Sequence, residues 1–521
     1  MKRQFLKTLG GAAGVLLAGR QLMAATPRGP SAAVMRITPQ QYGARGDGRR
    51  DDTRACIEAA RAADRFGAWL VFPPGTYLIT GEVSIEGKVA GVWGDGGVLL
   101  LKSDRGRAGL LIRNLRGIDP EKNPLLVANL NIECQVSWRD QAAALYGIDI
   151  EGVHFVGNQI RNVQVGHGIY LRGTHNRIEN GRAISVSSNV LKDNVIDIRP
   201  LPETDCFGIE IEAERLYTMA ERSARDTWLK HFVLPQVPVP ATRNVIEGNR
   251  ITGGYYGISF LGVTRSLVSN NVLTGQVRSV SIQHLSNANL VIGNQAIESL
   301  SASLHFAYGA SYNVITENVV RTNRARGEGL LQAYVSAAHN DFFSNDVEVG
   351  PQGKPKYHCY TGVVGNENSF WGNRLSGPAA RAYVAVESAF NSRSQRKSAR
   401  GYGLKGADDN FTNRGMYGVR IIGNQIRATS PVPVFVLAQE SDDSGHYPLL
   451  MCELAGNEVQ WTGQGTLLEM SERRIGALRD IVLDGNVFSP APQRKQLVLP
   501  RGGQHFSARI DRSNVPEMPG I

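Results

Sequence analysis

Two glutamates spaced two positions apart are the residues with the clearest catalytic potential. Glu210 and Glu212 alternate with isoleucines in Gly208-Ile209-Glu210-Ile211-Glu212. Alternate residues of a strand share one face, so both carboxyl groups would project together, with Cα atoms roughly 6.8 Å apart. Hydrolysis of a glycosidic bond requires two carboxyl groups about 5 to 9.5 Å apart. Asp205, just before this segment, is a further candidate acid.

An asparagine repeat indicates the elements that position these acids. Pairs of asparagines five positions apart recur along the chain, and the second member also recurs alone. The pairs begin at Asn189, Asn244, Asn289, Asn313, Asn340 and Asn368, and the lone asparagines are Asn158, Asn271, Asn424, Asn457 and Asn486. Between Asn249 and Asn373 the successive spacings are 22 to 28 residues. A unit of this length is one coil of a solenoid.

Each coil contains short runs of alternating apolar and polar residues. Such runs predict strands, and asparagine tolerates the left-handed backbone of tight corners. Stacked coils would pair their strands in parallel about 4.8 Å apart and let the asparagine amides hydrogen-bond along the stack. The sequence therefore predicts an all-β fold, a single-stranded parallel β-helix. The rival interpretation, a leucine-rich repeat, lacks its leucine spacing.

Aligning the coils on a Gly-Ile motif predicts two outward columns of polar side chains. If the isoleucines point inward, the residues between them point outward. The first column would be Asp149, Tyr170, Glu210, Ser259, Ser281, His305 and Gln332, and the second would begin Glu151, Arg172 and Glu212. Two coils separate Asp149 from Glu210, a distance of roughly 9.6 Å. Tyr170, Tyr255, Tyr256 and Trp228 would stack on sugar rings, while Arg172 would hold one carboxylate ionised.

Composition and charge exclude several classes of protein. The chain has 521 residues, of which 20% are charged and 42% hydrophobic, a globular balance. Its formal net charge of +10 falls to +6 if Lys2, Arg3, Lys7 and Arg20 are removed with a leader. A net positive charge of this size is small for a chain of this length, and no nucleic-acid-binding motif accompanies it. We therefore expect no nucleic acid among the partners.

The first 25 residues predict an export signal. A basic start is followed by a small, apolar stretch from Thr8 to Gly19 and by small residues suited to cleavage. This stretch is too short to span a bilayer core of roughly 30 Å. The Lys2-Arg3-Gln4-Phe5-Leu6-Lys7 segment also resembles a twin-arginine motif, so the Sec and twin-arginine routes stay open. We expect a periplasmic or secreted protein with no integral membrane segment after signal removal.

The cysteines and histidines predict no metal site and no cofactor. Five cysteines, at positions 56, 134, 206, 359 and 452, are too few and too scattered for a disulfide framework. Neither a C-x-x-C nor an H-E-x-x-H motif occurs. A structural zinc site and a zinc protease therefore have no support.

The N-terminal region resembles a known superfamily. Tyr42-Gly43-Ala44-Arg45-Gly46-Asp47-Gly48, Asp51-Asp52-Thr53 and Phe72-Pro73-Pro74-Gly75-Thr76-Tyr77 are similar to the start of the pectate lyase superfamily of right-handed β-helix proteins. Asp51-Asp52-Thr53 would cap a helix whose small apolar face covers the open end of the first coil. The resemblance implies an extracytoplasmic protein that hydrolyses, eliminates, transfers or binds polysaccharide.

Two further motifs bear on the reaction. Gly166-His167-Gly168 resembles an element of polygalacturonases, but their Asn-Thr-Asp and Arg-Ile-Lys elements are missing. We therefore interpret His167 as a coil-corner histidine. The segments around His167, Asp193-Asn194 and Glu210 also resemble inulin fructotransferases, which implies that Asp193 and Glu210 form the catalytic pair of a fructan-cleaving transferase.

The leading hypothesis is a secreted glycoside hydrolase acting on polysaccharide or oligosaccharide with Glu210 at its centre. The alternatives are a polysaccharide lyase, for which Tyr170, Arg172 and His305 are available, the fructotransferase, and a non-catalytic polysaccharide-binding β-helix. The sequence leaves a homo-oligomer open. The predicted segments are an export signal (1–25), a linker (26–37), an N-terminal cap with the first coils (38–80), a β-helix (81–505) with insertions at about 200–243 and 388–416, and a tail (506–521).

Overall fold

A computed structural model describes most of the chain. The described residues are 30, 34–113, 124–174, 178–179, 182–183, 186–213, 239–334, 337–362, 365–388, 416–440, 449–473, 478–498 and 506–510. The predicted export signal, Trp228 and most of both predicted insertions lie outside them. Within these ranges, no helix is long and apolar enough to cross a membrane.

The chain divides into two compact units, and each consists of parallel sheets. Unit 1 comprises Met1–Arg215, Val237–Gln276 and Ala288–Leu290, and unit 2 comprises Leu216–Gln236, Val277–Asn287 and Val291–Ile521. In each unit the chain passes repeatedly through three sheets, which we name A, B and C, in that order. This organisation confirms the predicted parallel β-helix.

Unit 1 contains eight strands in sheet A, eight in sheet B and six in sheet C, counted over the described residues. Sheet A is Arg36–Ile37, Trp69–Phe72, Gly91–Gly94, Leu125–Ala128, Val153–Val156, Val190–Lys192, Val245–Glu247 and Leu267–Ser269. Sheet B is Asp47–Asp51, Gly75–Ile79, Gly97–Ser103, Asn131–Val136, Gln159–Val163, Val195–Ile198, Arg250–Thr252 and Val272–Thr274. Sheet C is Glu82–Ile85, Gly109–Arg113, Ala143–Ile148, Gly166–Arg172, Cys206–Glu212 and Tyr256–Leu261. Two short pairs, Ile178–Glu179 with Arg182–Ala183 and Ala241–Thr242 with Val263–Thr264, complete it.

Unit 2 repeats the three sheets. Sheet A is Val314–Thr316, Asp341–Phe343, Ser369–Trp371, Met416–Tyr417, Arg420–Ile422, Leu449–Leu450, Glu453–Ala455, Leu478–Asp484 and Phe506–Ile510. Sheet B is Gln295–Ile297, Val319–Thr322, Asp346–Val349, Arg374–Gly377, Gln425–Ala428, Glu458–Gln460 and Val487–Ser489. Sheet C is Arg278–Gln283, Leu304–Ala307, Gly329–Tyr334, Tyr357–Gly362, Ala382–Ser388, Phe435–Glu440, Leu468–Arg473 and Leu497–Val498. The strand Leu290–Ile292 contains a boundary between the units.

The repeated asparagines form the predicted ladders at the corners. In unit 1, Asn194 Nδ2 donates to Oδ1 of Asn249 at 2.9 Å and to the Phe155 carbonyl at 3.0 Å. Its own Oδ1 accepts from the backbone N–H of Asn158 at 3.0 Å. Asn194 is fully buried. Each side chain thus satisfies buried polar groups of both neighbouring coils, which fixes the corners that present sheet C.

The predicted N-terminal cap is an α-helix, Thr53–Phe66. Its small apolar residues Cys56, Ala59, Ala60 and Ala63 are buried, as the spacing predicts. Asp51 Oδ1 accepts from the Thr53 N–H at 2.9 Å. The short 3-10 helices Pro39–Tyr42 and Arg494–Gln496 are the other helical elements in the described residues.

Candidate active site on sheet C of unit 1

The outer face of sheet C in unit 1 carries Glu210 and Glu212. Glu210 lies opposite Tyr170 in one neighbouring strand and opposite Ser259 in the other, and Glu212 lies opposite Arg172. The intervening Ile209 and Ile211 are completely buried in the core. Because side chains alternate across a strand, both glutamates project outward, as the sequence predicts.

The predicted register of Asp149 is wrong. Tyr146, three residues earlier, lies opposite Tyr170, and the strand ends at Ile148. Asp149 sits at a corner with φ 50° and accepts hydrogen bonds from the backbone N–H of Thr174, at 2.6 Å, and from its hydroxyl. In this coil the sheet C strand is formed by the mostly buried residues Ala143–Ile148. The Gly147-Ile148 motif therefore lies at the end of the strand. Asp149 is therefore a corner residue.

Glu151 is displaced for the same reason. The residue opposite Arg172 is Ile148 and not Glu151. Glu151 instead forms an isolated bridge with Ser187. Of the acids predicted for the two columns, Glu210 and Glu212 therefore lie on this face, and the pairing of Glu210 with Asp149 across two coils does not occur.

His167 contacts Glu210 and ties it to the preceding coil. Its Nδ1 is 2.7 Å from the Ala142 carbonyl oxygen, and because that oxygen only accepts, Nδ1 carries the hydrogen. Nε2 is 3.5 Å from Oε1 of Glu210, and the two side chains are only 13% and 10% exposed. Nε2 is the ring atom that faces the Glu210 carboxyl group, and it has no hydrogen-bond partner in the part of the chain that the structure describes. The interpretation of His167 as a corner residue is wrong, because it lies within the strand Gly166–Arg172.

Glu212 has different partners. The Tyr170 hydroxyl donates to Oε2 of Glu212. Burial, followed by the charges of Glu212 and Glu210, raises the pKa of Tyr170, so this hydroxyl stays a protonated donor. Burial lowers the pKa of Arg172, but the acidic groups of Tyr170 and Glu212 outweigh it and the net shift is upward. Glu212 therefore lies between a fixed donor and a permanent cation.

Aromatic rings continue along this face. Tyr146 and Tyr170 stack with centroids 5.1 Å apart and an interplanar angle of 3°. The His167 ring stacks on Tyr170 at 4.5 Å and on Phe207 at 4.6 Å. Phe207 contacts the predicted sugar-binding residue Tyr256 at 5.1 Å. A small depression opens beside Tyr146 and includes Glu82 and Arg107 in its lining.

Two predicted acids lie outside this cluster. Asp193 is exposed at the corner between the sheet A strand Val190–Lys192 and the sheet B strand Val195–Ile198. It does not face Glu210, which points outward from sheet C, so the predicted pair of Asp193 and Glu210 is not assembled. Asp205 is exposed immediately before Cys206–Glu212.

Two other predicted binding residues are fully buried. Ser259 lies opposite Glu210, and its Oγ has no hydrogen-bond partner in the part of the chain that the structure describes. His305 belongs to unit 2, where its Nδ1 is 2.8 Å from Ser281 Oγ. Burial, and then the charge of Arg278, hold the pKa of His305 well below its ordinary value, so the ring is neutral. The column Ser281, His305 and Gln332 has the predicted register within unit 2.

Sequence reasoning missed His167 and Tyr146. The Gly166-His167-Gly168 motif was a usable signal for the histidine. No comparable signal marks Tyr146, because its place opposite Tyr170 depends on where the preceding strand begins.

Comparison with known proteins identifies the family. The model for rhamnogalacturonase A/epimerase, pectate lyase-like, matches residues 38–305, which is just over half of the chain. The model for the right-handed beta helix region matches residues 239–375. No curated protein matches the sequence.

Solved structures with similar folds include enzymes and a phage protein. The catalytic unit of a GH87 alpha-1,3-glucanase from Streptomyces thermodiastaticus is 13% identical with a TM-score of 0.44, over 89% of this chain and 70% of that one. The A-module of mannuronan C-5 epimerase AlgE6 from Azotobacter vinelandii is 15% identical with a TM-score of 0.39, over 93% and 100%. The tailspike protein of E. coli bacteriophage HK620, in complex with a pentasaccharide, is 10% identical with a TM-score of 0.47, over 86% and 80%.

Similarity at these levels transfers no activity from those proteins to this one. The family assignment rests instead on the match over residues 38–305. By that match, and in agreement with the parallel sheets of both units, the chain belongs to the rhamnogalacturonase A/epimerase, pectate lyase-like family.

Proposed function

We propose that this protein hydrolyses O-glycosidic bonds of a polysaccharide at the outer face of sheet C in unit 1. The observation that carries the proposal is that two outward carboxyl groups on one strand have opposite kinds of partner. Glu210 faces Nε2 of His167 at 3.5 Å, whereas Glu212 accepts from Tyr170 beside Arg172. A glycosidase needs one carboxyl group that donates a proton and one that stays ionised.

The roles of the two glutamates follow from these contacts. Glu210 acts as general acid toward the leaving oxygen and is reprotonated through Nε2 of His167. Glu212 is the carboxylate that stabilises positive charge at the reacting carbon or activates water. Their Cα atoms are roughly 6.6 Å apart by parallel-strand rise, a spacing compatible with either stereochemical outcome once the side chains are extended.

Elimination on a uronate polymer is the second candidate, because Arg172 would neutralise a carboxylate on this face. Its base would have to be His167, since the raised pKa of Tyr170 makes that hydroxyl a poor proton acceptor. The fructotransferase hypothesis loses its support, because Asp193 and Glu210 lie on different parts of the coil. A non-catalytic binding protein would not require a histidine beside one of two outward carboxyl groups.

The test is to assay the purified protein on neutral and acidic polysaccharides and to identify the products by mass. Glu210→Gln and Glu212→Gln should each lower reducing-end release by at least about 100-fold. Glu133→Gln, on sheet B of unit 1, is the matched control and should retain full activity. Full activity in both glutamate variants would overturn the site, and an ultraviolet-absorbing unsaturated product would replace hydrolysis with elimination.

We also propose that the protein acts outside the cytoplasm. The proposal rests on the sequence of residues 1–25, which lie outside the described residues. Fractionation of cells that express the full chain, followed by N-terminal sequencing, should recover a processed periplasmic or secreted form. Recovery of the unprocessed chain from the cytoplasm would overturn it.

A further inference from the structure

Three successive loops between sheets B and C of unit 2 concentrate positive charge. Residues 323–328, 350–356 and 377–381 contain five basic residues and one acidic residue, Glu328. We name the basic residues the basic strip: Arg324, Arg326, Lys354, Lys356 and Arg381. All are exposed except Lys356, which is half-buried.

The strip is ordered by the stacking of the coils. Arg326 and Lys354 form a parallel bridge, so they occupy equal positions in adjacent coils. The Lys356 N–H donates to the Glu328 carbonyl at 3.1 Å, and the Arg381 N–H donates to the Lys356 carbonyl at 3.1 Å. Adjacent parallel strands are about 4.8 Å apart. The backbones of Arg326 and Lys354, and those of Lys356 and Arg381, are therefore one strand spacing apart, a distance close to the length of one sugar residue.

The acids beside the strip are already occupied. Arg278 binds Glu328 through two hydrogen bonds of 2.8 and 2.9 Å from Nη2. Arg381 pairs with Glu387 at 3.0 Å. Among the described residues, the other four members of the strip have no carboxylate oxygen within 4.0 Å. Clustered charge of one sign raises the local concentration of counter-ions.

Sheet B of the same unit is balanced by comparison. Arg321 contacts both Asp346 and Glu348, at 2.5 and 3.0 Å. Arg374 and Arg427 are exposed on its strands and supply single positive charges for comparison. The excess of positive charge in these three B–C loops is thus not matched on the strands of sheet B.

We propose that the basic strip binds the carboxylate or sulfate groups of an acidic polysaccharide and serves as a docking site without catalysis. A polymer with one charge per sugar can contact successive coils at once. Each contact contributes little alone, and several along one chain add in strength. The site is built from residues of unit 2 and does not depend on the proposed hydrolysis.

The experiment measures binding in the Glu210→Gln background, so that turnover does not interfere. Titration calorimetry with sodium polygalacturonate at low ionic strength is compared for the parent, Arg326→Glu/Lys354→Glu and the control Arg374→Glu/Arg427→Glu. Both double variants change the net charge equally. We expect the strip variant to raise Kd by about tenfold or more, the control to stay within about twofold, and added salt to weaken parental binding.

Two further probes decide the ligand class. Any binding of neutral dextran should be the same in the parent and the strip variant. A single-stranded oligodeoxynucleotide should bind more weakly than polygalacturonate. Equal losses in both double variants, with both folded by circular dichroism, would overturn the proposal, as would absence of parental binding to polygalacturonate. Tighter binding of the oligonucleotide would assign the strip to nucleic acid instead. Hydrolysis is assayed separately, so its failure does not affect this result.

Discussion

Sheet C carries a tyrosine–glutamate–arginine cluster in each unit. In unit 1 the Tyr170 hydroxyl donates to Glu212, which lies opposite Arg172. In unit 2 the Tyr357 hydroxyl donates to Glu387 at 2.8 Å, and Arg381 contacts the same carboxylate at 3.0 Å. The repetition indicates that this trio is a general way to hold an ionised carboxylate against the outer face of a stacked sheet, and is not by itself a catalytic signature.

The two clusters differ at the position two residues before Glu212 in unit 1 and Glu387 in unit 2. Glu210 precedes Glu212, whereas the buried Ala385 precedes Glu387. Glu210 also contacts His167. Unit 2 thus has the held carboxylate but no second carboxyl group at the equivalent position. Under the proposed function, the second carboxyl group distinguishes the active site of unit 1 from the structural cluster of unit 2.

The largest expected effect comes from removing that second carboxyl group. Glu210→Ala gives unit 1 the residue type found at position 385 and should lower the hydrolysis rate by about 10²- to 10⁴-fold, because the general acid is lost. Glu387→Ala should leave the rate unchanged and lower only the stability, since Tyr357 and Arg381 lose their acceptor. Initial rates and urea unfolding separate these outcomes. Loss of turnover in folded Glu387→Ala would transfer the site to unit 2.

The tyrosine hydroxyls provide an intermediate effect. Tyr170→Phe and Tyr357→Phe each remove one donor from a carboxylate, which should destabilise the fold by about 1 to 3 kcal/mol. The two costs should be similar, because Arg172 lies opposite Glu212 and Arg381 contacts Glu387. Only Tyr170→Phe should also lower turnover. Equal rates in the two folded variants would show that the unit 1 cluster is as purely structural as that of unit 2.

The fold could be predicted from the sequence because one residue type, asparagine, repeats at the corners of successive coils. Each buried asparagine must satisfy donors and acceptors of neighbouring coils, so its position is tightly constrained, as at Asn194 and Asn249. The register of Glu210 with Tyr170 and Ser259 followed in the same way from isoleucines that must enter the core.

The positions of Asp149 and His167 could not be predicted, because they depend on where strands begin and end. Asp149 follows the same Gly-Ile motif as Glu210. In its coil, however, the strand is formed by the residues before Asp149, and Asp149 lies at the corner that follows. His167 is in a strand because its N–H donates to the Ala142 carbonyl of the coil before, at 3.1 Å. Such pairings join residues 25 positions apart, and a local pattern does not contain them.

The smallest expected effect concerns the corner between sheets A and B in unit 2. Glu317, Ser344 and Gly372 occupy equal positions there, each just before a ladder asparagine, and all have φ between 53° and 62°. Later coils place glycine at 423, 456 and 485. A left-handed backbone disfavours residues with a Cβ, and glycine adopts it freely. The coils of Glu317 and Ser344 therefore bear a strain that the coils with glycine at this corner, including the one with Gly293, avoid.

Paired substitutions at this corner should have opposite signs. Glu317→Gly should stabilise the protein by roughly 0.5 to 1 kcal/mol, the relief of strain less the entropy that glycine loses on folding. Gly372→Ala should destabilise it by about 1 kcal/mol, without a clash, because the nearest atom to an added Cβ is Ser344 Oγ at 4.0 Å. Urea unfolding midpoints measure both changes. If both variants shift stability in the same direction, the preference for glycine at this corner has a cause other than backbone strain, and contacts of the Glu317 side chain become the explanation.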